Sequence, residues 1–99
     1  MVKEVKRFGD LQPEIPEADE KVDIDALVDQ DVEFLAYAVL PGSYGDFMVI
    51  IVKDIQSGRK LSFSTGAGII MRKIKEAKAG NYLPLLGKIV KPGRYYDII

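Results

Sequence analysis

Phe47-Met-Val-Ile-Ile-Val-Lys53, then Asp54-Ile-Gln-Ser-Gly-Arg59, then Lys60-Leu-Ser-Phe-Ser-Thr65 decide how the chain is read. The first piece is a short apolar run rich in β-branched residues, and Ile55 to Gly58 carries the turn signal. The third piece alternates Leu61, Phe63 and Thr65 against Ser62 and Ser64. That is the pattern of a hairpin joining two strands. Alternation puts Phe47, Val49, Ile51 and Lys53 on one side of the first strand and Met48, Ile50 and Val52 on the other. Both sides are apolar, so the outer face needs cover from bases, a second subunit or the N-terminal arm.

Outward from this hairpin the punctuation continues. Val32 to Leu40 reads as a preceding strand, ended by Pro41-Gly-Ser-Tyr-Gly45. Gly66 to Ala79 reads as a helix with Ile70, Ile74 and Ala77 on one face, Ser64 or Thr65 as its cap and Gly80-Asn81 as its stop. Pro84 to Val90 is a fourth strand, Lys91-Pro-Gly-Arg94 a turn, and Tyr95 to Ile99 a fifth strand. Asp23 to Val28 predicts a short helix capped by Asp23 or Asp25. Residues 1–21, with Pro13, Pro16 and many acids, predict a partly disordered acidic arm ahead of a single domain over 22–99. Three strands, a helix and two strands are the order of the OB-fold. The expectation is a mainly β chain, a five-stranded OB-fold-like barrel with one helix between strands 3 and 4. A small mixed α+β sheet and an SH3-like barrel are the competing assignments. OB barrels bind oligonucleotides on the face of strands 2 and 3 and between the loops joining strands 1–2 and 4–5.

Composition narrows the chemistry. The 99 residues are 47% hydrophobic and 29% charged, which describes a soluble globular chain. With no cysteine and no histidine, thiolate catalysis, Cys-ligated metal sites and Ser-His-Asp chemistry are excluded. No carboxylate pair stands in an evident cleft, so no enzyme activity and no cofactor is expected. Asp23, Asp25, Asp29 and Asp31 lack the glycine and terminal glutamate of an EF-hand loop and read as capping and solvation, not as a metal site. Thr65-Gly-Ala-Gly68 lacks the spacing of a phosphate-binding loop. No apolar h-region follows Met1, and the longest apolar stretches are too short to cross a bilayer, so the expected location is cytoplasmic, without a membrane partner.

The formal net charge of −1 conceals a division. Residues 1–33 carry eleven acids and four bases, a net of −7; residues 34–99 carry four acids and ten bases, a net of +6. An acidic front and a basic body hint at a polyanion-binding surface or at simple internal neutralisation. The bases sit beside aromatics. Pro41–Gly45 presents Tyr44, and Lys91-Pro-Gly-Arg-Tyr-Tyr96 presents Lys91, Arg94, Tyr95 and Tyr96. Single-stranded nucleic acid needs this mixture, because cations follow phosphates while aromatic faces stack on unpaired bases at about 1–3 kcal/mol each. Tyr37, Phe47, Lys53, Arg59 and Lys60 complete the candidate binding set. Arg72, Lys73, Lys75 and Lys78 form either a solvated helix face or a secondary phosphate stripe.

Val39-Leu-Pro-Gly with Tyr44-Gly-Asp-Phe47, Phe63-Ser-Thr-Gly66 leading into a helix, and Gly87-Lys-Ile-Val-Lys with Gly93-Arg-Tyr-Tyr96 carry a resemblance. In their order and spacing, residues 31–99 resemble the small OB-fold single-stranded-DNA-binding proteins of phages, archaeal viruses and related mobile elements. The resemblance implies largely sequence-independent binding of single-stranded DNA in DNA replication, as a viral protein. Tyr44, Phe47, Arg94, Tyr95 and Tyr96 would then fall on or beside the cleft. The chain departs from cellular relatives in ending on an apolar strand, with its acidic stretch at the N-terminus instead. An RNA-binding OB module and a protein-interaction subunit, including a homodimer through the apolar strand, are the alternatives.

Overall fold

The computed structural model describes residues 18–99. In chain order these form β1 (Glu20–Lys21), a 3-10 turn at Ile24–Leu27, β2 (Asp31–Leu40), β3 (Phe47–Asp54) and β4 (Lys60–Thr65). The helix α1 (Gly68–Ala79), β5 (Leu85–Val90) and β6 (Asp97–Ile98) follow. All strands belong to one mixed sheet in the order β1-β4-β3-β2-β5-β6. β2, β3 and β4 make an antiparallel meander, and after α1 the chain returns to lay β5 antiparallel beside β2. The order β5-β2-β3-β4 is that of a Greek key.

The mainly β architecture with one helix follows the sequence expectation, but the sheet has six strands and is not closed into a barrel. The additional strand is β1, so α1 follows the fourth strand, not the third. β1 runs parallel to β4, with Glu20 opposite Leu61 and Lys21 opposite Ser62. Asp19 N–H donates to Lys60 O and Val22 N–H to Ser62 O, both at 2.8 Å. These bonds take the edge of β4 that a closing strand would need, while the two-residue β6 pairs with β5. Of the arm expected over residues 1–21, Glu20 and Lys21 form β1 and Asp19 is hydrogen-bonded to Lys60, while residues 1–17 lie outside the described residues.

The core follows the alternation of β3. Met48, Ile50 and Val52 join Phe34 of β2, Phe63 of β4 and Ile70 and Ile74 of α1 in one buried cluster. Each such side chain contributes about 1.5–3 kcal/mol on leaving water. Two short-range expectations change. The segment after Asp23 is a four-residue 3-10 turn with no side-chain cap from Asp23. The N-cap of α1 is Ala67, again without a side-chain cap. Thr65 cannot serve there because it is still paired in the sheet opposite Met48; its hydroxyl instead accepts the Ala67 N–H at 3.1 Å. The helix stop is as expected in place, and Asn81 rather than Gly80 takes the left-handed conformation, at φ 59°. Tyr82 N–H reaches Ala77 O and Asn81 N–H reaches Lys78 O, the bond pair of a Schellman motif.

Candidate nucleic-acid interface

Register arranges the outer face of β2, β3 and β4 into cross-strand rows. Glu33, Lys53 and Lys60 form the first; Ala36, Ile51 and Ser62 the second; Ala38, Val49 and Ser64 the third; Leu40 and Phe47 the last. Apolar residues of β3 thus run as a ridge between small residues on both neighbours. Ile51 is only 2% exposed although it lies outside the core cluster, and Phe47 and Val49 are half-buried. The described part of the arm, β1, lies beside β4 and not across β3. From Lys53 to Phe47 the face is about 20 Å long at about 3.4 Å per residue.

Cations stand at one end of this floor. Lys53 and Lys60 are exposed and directly opposite each other, and among the described residues neither makes an ion pair. Facing like charges disfavour the folded sheet; Glu33, on the other side of Lys53, offsets one of the two, which leaves Lys60 as the cation of this row open to an external anion. Arg59, next to them, is engaged by Glu20 at 3.2 Å. At the other end the β2–β3 loop carries Tyr44, fully exposed. A Cβ on Gly42 would come 2.8 Å from Gly45 O and 3.1 Å from the Phe47 ring, so glycine is what lets this loop fold back against Phe47.

The β5–β6 loop forms a second part of the site. Arg94 and Tyr95 are exposed and line a cleft of about 470 Å³ with Ser64, Thr65, Ala67 and Tyr96. Ser64 is shared by this cleft and the outer face. Tyr96 is less free than the sequence suggests. Its hydroxyl donates to the Asp25 carboxylate, and the Lys91 ammonium lies 5.0 Å from its ring centroid. The Asp25 hydrogen bond, with lesser help from desolvation and the Asp25 charge, pushes the Tyr96 phenol above its ordinary value against the opposing pull of Lys91. Lys91 and Tyr96 therefore hold each other and fasten the loop to the 3-10 turn.

Tyr37 is the candidate that the structure moves away. A β-bulge between Phe34 and Ala36 puts one extra residue into β2, so Tyr37 pairs with Ile50 and packs against the core. Without the bulge, alternation from Phe34 would have brought it to the outer face. On α1, Lys73 is bound to Asp97 at 2.6 Å and to Ile98 O at 2.9 Å, while Arg72, Lys75 and Lys78 are exposed. Lys73 and then the Ile98 N–H hold the Asp97 carboxyl below the usual carboxylate range. Lys21 was absent from the sequence-derived set, yet its register opposite Ser62 adds an exposed cation to the second row. No strand signal in Glu20-Lys21 announces it.

Among the described residues no helix is long and apolar enough to cross a membrane, and no three acidic side chains are grouped to hold a metal ion. Comparisons with protein-family models, with curated proteins and with solved structures return no match to this chain.

Proposed function

We propose that this protein binds single-stranded DNA, largely without regard to sequence, on the outer face of β2, β3 and β4 and in the adjoining Arg94–Tyr95 cleft, and that it is not an enzyme. The observation that carries this is the facing pair Lys53 and Lys60 at the end of an apolar ridge flanked by Ala36, Ala38, Ser62 and Ser64. Phosphates would settle on the cations and bases against the half-buried Phe47 and Val49, with Tyr44 and Tyr95 as stacking platforms. We take β2 to β6 as an OB-type arrangement left open, because the Greek-key order and the helix between β4 and β5 match that barrel while β1 occupies the closing edge. A face about 20 Å long suits on the order of four nucleotides, the low end for one OB unit.

A protein partner is the second reading. Leu85, Leu86 and Ile99 are exposed at 45%, 62% and 73% beside an apolar groove of about 170 Å³ between α1, β5 and β6. The test is competition: labelled oligo-dT bound by the protein is challenged with duplex DNA and RNA of equal length. Poor competition by duplex supports single-strand recognition, and strong competition by RNA moves the assignment to an RNA module. Arg94→Ala and Tyr95→Ala should each weaken binding by about 5- to 100-fold, the loss of one phosphate or stacking contact. Wild-type affinity in both variants removes the cleft from the site, and no oligonucleotide binding at low salt favours the apolar groove and a protein partner.

A further inference from the structure

Two carboxylates are fastened at the Arg59–Lys60 start of β4. Glu20 Oε2 lies 3.2 Å from Arg59 Nη1, and Asp19 Oδ2 accepts the backbone N–H of Lys60 at 3.0 Å. The reciprocal bond from Asp19 N–H to Lys60 O and the next one from Val22 N–H to Ser62 O lay this segment along β4. Its strand is two residues long, with Glu20 and Lys21 both exposed. A short edge strand held by a few backbone hydrogen bonds and an exposed ion pair is weakly fixed.

Resting on the nucleic-acid reading of this face, we propose that Asp19 to Lys21 form an autoinhibitory strap, an intramolecular competitor for the phosphate backbone of the bound strand. At this end of the sheet Lys53, Lys60 and the neighbouring Arg59 carry three positive charges; Glu33 faces Lys53, Asp19 is bonded to the backbone of Lys60, and Glu20 pairs with Arg59. Glu20 occupies the guanidinium that an incoming phosphate needs, and Asp19 lowers the potential at Lys60. A phosphate that binds Arg59 must displace the Glu20 carboxylate, so part of the attraction of the face is used against its own chain. The strap weakens binding and makes it less steep in salt, because the contact it blocks releases no counterions.

The test is the affinity of the full chain for labelled oligo-dT across a salt series, for wild type, Glu20→Gln, Arg59→Gln and the double variant. Glu76→Gln, an exposed acid on α1, serves as a charge-matched control. The hydrogen bonds of β1 are made by backbone, so Glu20→Gln leaves them in place, which a melting curve checks. We expect Glu20→Gln to bind about two- to fivefold tighter, with a slope of log K against log salt steeper by about 0.7. Glu76→Gln should change neither, and Glu20→Gln should gain nothing in the Arg59→Gln background. If wild type binds in a salt-dependent way and Glu20→Gln matches it, or gains no more than Glu76→Gln, the strap is refuted and the nucleic-acid reading stands. If neither wild type nor Glu20→Gln binds at low salt, the nucleic-acid reading fails and takes the strap with it.

Discussion

Gly87 is where the packing leaves least room. It lies in β5 opposite Val32, and a Cβ there would come 2.9 Å from Phe34 Cε2, 3.2 Å from Ile98 Cγ2 and 3.3 Å from Ile99 O. Phe34 is 3% exposed and belongs to the core cluster, so a Cβ on Gly87 forces a core ring or the β5 backbone to shift. Overpacking of this kind costs about 1–3 kcal/mol. In a domain of 60–100 residues each kcal/mol moves the melting temperature by about 4–8 °C, so Gly87→Ala should melt about 8–16 °C below wild type for a cost near 2 kcal/mol. Thermal unfolding followed by circular dichroism reads this directly. Gly66→Ala is the control: a Cβ there meets nothing within 4 Å, and the shift should stay within about 4 °C. Phe34→Leu combined with Gly87→Ala should cost at least about 0.5 kcal/mol less than the sum of the two single changes, since the first removes the atom the second strikes. A Gly87→Ala protein that melts with wild type would refute the placement of β5 between β2 and β6.

Asp97 gives a pH prediction. Its carboxyl is held low by Lys73, so the stability it contributes is present above its unfolded value of 3.8 and is lost as pH falls through the lower folded value. The stability gap between wild type and Asp97→Asn should therefore shrink below about pH 4, and a constant gap down to acid unfolding would contradict the ion pair. Tyr96 has the opposite sign: its phenol is raised, so its contribution is present below 10.0 and is lost as pH rises through the higher folded value. In an alkaline absorbance titration, Tyr96→Phe should remove a phenol that ionises above the ordinary tyrosine value of 10.0; loss of one that ionises at or below it would show that Asp25 is not its partner. Lys53→Gln with Lys60→Gln should reduce the salt slope of oligo-dT binding by about 1.4, two phosphate contacts. A slope equal to that of wild type would remove both lysines from the site.

What could be read in the sequence was what rests on local periodicity. The apolar run Phe47–Val52 and the alternation through Thr65 define β3 and β4 and the core side of β4, because a period of two leaves no choice once one face is buried; β3 is apolar on both sides, and its core side is set by its register with Phe63. The helix and its stop follow from Ile70, Ile74 and the Gly80-Asn81 pair. Long-range features escaped. Glu20-Lys21 has no strand propensity and becomes β1 only because β4 offers an unpaired edge, and that same pairing leaves the sheet open. The bulge before Ala36 shows no glycine or proline, yet it turns Tyr37 from the candidate face to the core. Tyr96 looked like a free stacking ring because Asp25, its partner, is 71 residues away in sequence.

The most direct test of the central claim is a residue-resolved NMR titration of the protein with oligo-dT, following backbone amide shifts. A single-stranded-DNA face on β2, β3 and β4 predicts shifts concentrated at Ala36, Ala38, Val49, Ile51, Lys53 and Lys60 through Ser64, continuing to Arg94 and Tyr95. Shifts confined to Leu85, Leu86 and Ile99, or none at all at low salt, would contradict it.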